Sequence, residues 1–281
     1  MDTHLDIRPS PIAGQWYPGD ARRLGDSVDR FLKDAGQPAI QGEIIAIMVP
    51  HAGHLYSGPV AGYAFAALQG LSPELVAIAS PMHHPYFQAL LTSAHTHYAT
   101  PLGNIPIDKE AVKTLDAHLL QALGFGLTYI KNDPEHSLEI ELPFLQRSLK
   151  TSFTLLPLMV REQNARVAHQ LGTALAKTLA GKHALLVAST DLSHYEDQAT
   201  ANALDAVMLR RVEAFDPVGV IQAEEEGVGF ACGRGALAAV MWAAKELGAN
   251  HVQVLHHATS GDVTGDYDRV VGYGAAVMTK K

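Results

Sequence analysis

The stretch from Ile45 to Gly58, I-A-I-M-V-P-H-A-G-H-L-Y-S-G, decides the fold. A short apolar run rich in β-branched residues stops at Pro50. A histidine, a glycine and a second histidine follow, before Gly58 and Pro59 open a helical pattern. This is a buried strand emptying into a loop. In an open α/β sheet the loops at the carboxyl ends of the strands are where ligands bind, so His51 stands in a working position. The design recurs twice: E-L-V-A-I-A-S, Glu74 to Ser80, runs into P-M-H-H, and H-A-L-L-V-A-S-T, His183 to Thr190, runs into D-L-S-H-Y.

Working outward from these junctions, apolar runs alternate with amphipathic ones. Asp20 is placed to cap a helix from about Ala21 to Lys33, with Leu24, Val28, Phe31 and Leu32 on one face. A small, Ala-rich helix is expected over Gly58 to Leu68, a strand at Leu90 to Ser93, and a turn or hairpin at Thr100 to Asp108 leading into a helix over Lys109 to Ala122. Strand Phe153–Val160, helix Asn164–Leu179, strand Ala184–Thr190 and helical patterns over Ala199–Phe215 and Pro217–Glu225 continue the alternation. Val252–Thr259 and Val270–Met278 read as closing strands, with Gly265 to Asp268 in the turn between them. The pattern predicts an α/β protein: a three-layer αβα arrangement around a mainly parallel, mixed central sheet, forming one domain over 1–281. Residues 1–20, dense in Pro and Gly, read as an irregular arm anchored by Trp16 and Tyr17.

The totals narrow the function. A chain of 281 residues with 47% hydrophobic content buries a large core, and a net charge of −8 without a basic run argues against nucleic acid. One cysteine excludes an intrachain disulfide. The N-terminus M-D-T-H-L-D-I-R lacks the apolar region of a signal peptide, and Gly235 to Leu247 is too short for a membrane span, reading instead as a buried core helix. The expectation is a cytoplasmic protein without a membrane segment.

Of the fifteen histidines, His4, His95, His97, His118, His169, His183 and His251 read as surface residues. His51 and His83 end two strands expected to be neighbours, so their imidazoles are placed to share a metal. Cys232, in G-V-G-F-A-C-G-R-G, is either a small buried hydrophobe or a thiolate favoured by a helix N-terminus and Arg234. With His51 and His83 it makes a three-ligand metal site with an open position. His54 and His84 lie close enough in sequence to exchange roles with them. Asp191 and His194 in S-T-D-L-S-H-Y face the same crevice, Asp191 as a partner of the imidazoles or as a helix cap, His194 as a proton carrier. In N-D-P-E-H-S-L-E, Asp133 or Ser137 is placed to cap a helix whose positive N-terminal end would keep His136 neutral. No G-x-S-x-G elbow accompanies the serines, which weakens a serine-hydrolase reading.

Six motifs in order, P-H-A-G-H-L-Y-S-G, S-P-M-H-H, N-D-P-E-H-S-L-E, S-T-D-L-S-H-Y, A-C-G-R-G and S-G-D-V-T-G-D-Y with V-V-G-Y-G, resemble the Memo family from about Arg8 onward. Its bacterial and archaeal members are called AmmeMemoRadiSam system protein B. The resemblance implies a fold similar to the LigB-type class III extradiol dioxygenases. It also implies His51, His83 and Cys232 as metal ligands and His136, His194 and Asp191 as the residues working beside them. Cys232 stands where those dioxygenases have a carboxylate, which turns the expectation from ring cleavage toward a redox protein holding Fe(II) or copper, with zinc as the further candidate. A small organic substrate or dioxygen would occupy the open position. The alternatives are a non-catalytic subunit working with radical-SAM and AMMECR-type partners and a zinc-dependent hydrolase.

Overall fold

Three of the runs expected as strands, Leu75–Pro81, Thr154–Val160 and Ala184–Ser189, are buried along nearly their whole length. Strands covered on both faces read as continuous Val, Ile, Leu and Ala runs, as these do. In the computed structural model, which describes residues 5–281, they form the centre of a nine-stranded sheet. In chain order the elements are β1 (Ile7–Arg8), α1 (Ala21–Ala35), β2 (Glu43–Val49), α2 (His54–Ala66), β3 (Leu75–Pro81), β4 (Leu90–Ser93), β5 (His97–Thr100), β6 (Gly103–Pro106) and α3 (Lys109–Leu123). Then come β7 (Thr128–Ile130), α4 (Leu142–Ser148), β8 (Thr154–Val160), α5 (Ala165–Leu179), β9 (Ala184–Ser189), β10 (His194–Glu196), α6 (Gln198–Glu213) and α7 (Pro217–Glu225). The chain closes with α8 (Arg234–Glu246), β11 (His251–Thr259), the single turn α9 (Gly261–Thr264) and β12 (Val270–Lys280).

The large sheet runs β10-β12-β2-β9-β3-β8-β4-β7, with β11 paired to β12. Its middle strands β2, β9, β3 and β8 are parallel, so their carboxyl ends share one edge. The antiparallel strands lie outside them, β12 against β2 and β4 against β8. The expected neighbours β2 and β3 are separated by β9, because β9 pairs with both. Sequence patterning marks strands but not the long-range order in which they pair.

Helices cover both faces. On one, α5 packs against α3 and α8, and α8 crosses β2, β3, β8 and β9; on the other, α1, α2 and α4 pack together. Gly172 of α5 makes the α5–α8 contact close, since a Cβ there would lie 2.6 Å from the Trp242 Cβ and 2.7 Å from the Ala239 carbonyl. The buried face of α8 runs through Gly235, Leu237, Ala239 and Val240, as expected for a core helix. No helix among the described residues is long and apolar enough to cross a membrane.

Two boundaries differ from expectation. Helix α2 begins at His54, one turn earlier than Gly58, so that Pro59 lies inside it and leaves the Leu55 carbonyl without its usual intrahelical donor. The arm is not wholly irregular: β1 pairs with β5 in a small three-stranded sheet completed by β6.

Candidate metal centre

The parallel strands deliver their loops to one place. His51 follows β2, His83 follows β3, Ser189 ends β9 and Thr190 to His194 follow it, while Cys232 lies two residues before α8. The His51, His83 and His136 rings meet there, with centroids 5.2 Å (51–83), 5.5 Å (51–136) and 4.9 Å (83–136) apart. One ligand nitrogen from each lies within 4.8 Å of the others. His51 is buried, His136 half-buried, and the His83 side chain is 33% exposed, so the cluster opens toward solvent beside His83.

Each ring is held from behind. His51 Nδ1 lies 2.9 Å from Ser189 Oγ, which also lies 2.6 Å from the Ser137 carbonyl and 2.7 Å from Glu141 Oε1. Burial pushes the Glu141 carboxyl well above the ordinary range. The Ser189 hydroxyl donates to Ser137 and has lone pairs left for His51 Nδ1–H, which sets the tautomer and leaves His51 Nε2 free as a donor to a metal. Glu135 does the same for His83: Oε2 accepts the backbone N–H at 2.6 Å and Oε1 accepts Nδ1–H at 2.9 Å. Burial raises the Glu135 carboxyl, but the His83 hydrogen bond and the neighbouring imidazoles outweigh it and hold the group well below the usual carboxylate range.

Cys232 Sγ lies 3.1 Å from His51 Nε2 and accepts the Asp191 backbone N–H at 3.3 Å. The loop sits this close to β9 because residue 233 is glycine: a Cβ there would stand 2.6 Å from the Ser189 carbonyl. Arg234 does not serve the thiol, because its guanidinium pairs with Glu224. Burial, followed by the Asp191 carboxylate, pushes the Cys232 thiol up. A coordinated cation reverses that sign by deprotonating the sulfur.

Asp191 does not cap a helix. Its Oδ1 accepts the His51 backbone N–H at 2.6 Å, and burial raises its carboxyl to about 7. His194 points Nδ1–H at the Leu192 carbonyl, 2.7 Å away, and burial lowers its pKa. His136 is neutral for a different reason from the one expected. No regular helix starts there, only a 3-10 turn at Glu139–Glu141, and burial lowers the imidazole to about 4.

Sequence reasoning placed His51, His83, Cys232, His136, Asp191 and His194 around one crevice and missed what holds them. Asp133 is no cap but the bidentate partner of buried Arg8, whose guanidinium also reaches Glu139 and the Glu135 carbonyl. The arm thus clamps the segment that carries Glu135 and His136, and Trp16 lies on His136 at 4.1 Å between ring centroids. His54 is buried among Tyr17, Phe31 and Phe144, away from the cluster. His95, expected at the surface, is 3% exposed and joins Asp6 to the Asn132 N–H. His4 lies outside the described residues.

Known proteins resemble this chain in fold and in sequence. A solved structure of an uncharacterized protein from Escherichia coli K12 superposes with a TM-score of 0.54 at 12% identity, covering 84% of this chain and all of that one. A MEMO1 family protein from Nitrosopumilus maritimus is 34% identical over 273 residues, 96% of this chain and 98% of its own length. One from Methanosarcina mazei is 33% identical over 276 residues, 98% and 100% of the two chains. The family model described as Memo-like protein matches residues 8–277. With the family model matching residues 8–277 and these relatives alike along nearly their full length, the chain belongs to the Memo family.

Proposed function

We propose that this is a metalloprotein in which His51, His83 and the Cys232 thiolate hold one iron or copper ion for a redox reaction on a small organic substrate or dioxygen. The supporting observation is the cluster itself: three imidazoles converge at the carboxyl ends of parallel strands, and two of them are tied through Nδ1 so that Nε2 is presented. Metal-bound histidines habitually have such a hydrogen-bond partner on the other ring nitrogen. Two imidazoles and a thiolate suit copper, iron or zinc better than magnesium or calcium. When bound, the ion would supply an open coordination position and change of charge state.

The remaining residues supply positioning and protons. Asp191 fixes the His51 backbone, and His194, with Nδ1–H committed to Leu192, offers Nε2 for proton transfer. Trp16 shields His136 from water. A second reading, with His136 in place of Cys232 as third ligand, is favoured by the 4.8 Å grouping of the three imidazoles.

Metal titration of protein purified without chelator or affinity tag tests the assignment. Cys232→Ser should weaken binding by more than the roughly 10- to 100-fold that outer-shell partners cost, while His84→Ala stays within a few-fold. If His136→Gln loses the metal and Cys232→Ser keeps it, the all-imidazole set is the correct one.

A further inference from the structure

A groove of about 540 Å³ is lined by residues that adjoin the centre's histidines. Trp16, Leu55, Tyr56, Tyr195, Tyr273 and Arg269 line it. Trp16 stacks on His136, Tyr195 directly follows His194, and the groove floor at Ala52 and Gly53 continues from His51. Large apolar side chains are left open along it: Leu55 is 67% exposed, Tyr56 41% and Tyr195 63%. Tyr195 also holds a left-handed backbone at φ 63°, which a bulky residue adopts only at a cost. This backbone presents a largely exposed ring to the groove, with His194 and Arg269 beside it.

Two charged residues line the groove, Arg269 and Asp266. Arg269 is its only Lys or Arg, lies 5.4 Å over the Tyr195 ring, and has no carboxylate within ion-pair distance among the described residues. The nearby acids are engaged in their own turn. Asp262 accepts from Thr259 and Gln198, and Asp266 Oδ1 accepts the Asp268 N–H. An unpaired guanidinium above a tyrosine ring offers a planar two-pronged donor beside an aromatic face.

We infer that this groove binds a flat aromatic carboxylate, its ring against the Tyr56 and Tyr195 side and its carboxylate on Arg269. The inference deepens the proposed function by giving the class of molecule delivered to the centre, and rests on that reading only for the chemistry that follows binding. Naphthalene-2-carboxylate is the probe, titrated against metal-stripped and metal-loaded protein by calorimetry and by Trp16 fluorescence in a Trp242→Phe background. The expected result is saturable binding to both forms, weakened about tenfold or more by Arg269→Gln. Neutral 2-naphthalenemethanol should be indifferent to Arg269→Gln, whereas Tyr195→Ala weakens both compounds. Equal affinity for cyclohexanecarboxylate, or no effect of Arg269→Gln, overturns the inference. Binding that persists in a protein unable to take up metal upholds the groove and overturns only the centre.

Discussion

Glu135 grips His83 twice, taking its backbone N–H on Oε2 at 2.6 Å and its Nδ1–H on Oε1 at 2.9 Å. The carboxylate therefore fixes both where the β3 loop lies and which ring nitrogen faces the centre. Its Oε1 also accepts the His136 and Ser137 N–H groups at 3.0 Å, so a single buried side chain organises two histidines from distant parts of the chain.

Replacing Glu135 by glutamine keeps the shape and removes the charge. An amide has only one acceptor oxygen, so the paired hold on His83 fails. Metal affinity should fall about 10- to 100-fold, the usual cost of losing an outer partner of a ligating histidine. Titration of Glu135→Gln against wild type measures it, and unchanged affinity would mean that His83 does not depend on this hold.

In the proposed centre His194 serves proton transfer and not coordination. Its Nδ1–H is occupied by the Leu192 carbonyl, and it lies outside the group of three imidazoles. His194→Ala should leave metal content within a few-fold of wild type while lowering turnover on the order of 10²- to 10⁴-fold. A folded variant without metal would identify His194 as a ligand.

Buried His54 gives the fold a pH dependence of its own. Nε2–H reaches the Ile140 carbonyl at 3.0 Å, Nδ1 has no partner, and burial lowers the imidazole to about 4. The unfolded chain protonates this group near pH 6.5, so between about 6.5 and 4 the unfolded state binds more protons. Stability from this residue is therefore complete above pH 6.5 and lost as pH falls. In urea unfolding, the advantage of wild type over His54→Phe should narrow by about 2 kcal/mol from pH 7 to pH 5. Parallel curves would show that the imidazole titrates normally in the fold.

What the sequence disclosed is local. The apolar runs of β3, β8 and β9 announced buried strands, and Asp20 caps α1 through its side chain as its place in the sequence indicated. What it withheld is long-range. The insertion of β9 between β2 and β3 brings Ser189 behind His51, and no periodicity in either strand encodes that pairing. Arg8 looked like part of an irregular arm, yet its partners Asp133 and Glu139 lie 125 and 131 residues away. A charged residue is legible as a buried clamp only once its partners are known. His95 was misplaced for the same reason, because a buried histidine and one at the surface look alike in sequence.

The central claim is that a thiolate and two imidazoles share one metal. X-ray absorption on the stoichiometric zinc-loaded protein tests it most directly, since zinc–sulfur and zinc–nitrogen bonds differ clearly, at about 2.3 and about 2.0–2.1 Å. The account predicts one sulfur at the longer distance with nitrogen neighbours at the shorter, and loss of the sulfur shell in Cys232→Ser. A first shell of nitrogen and oxygen alone in the wild-type protein would contradict it.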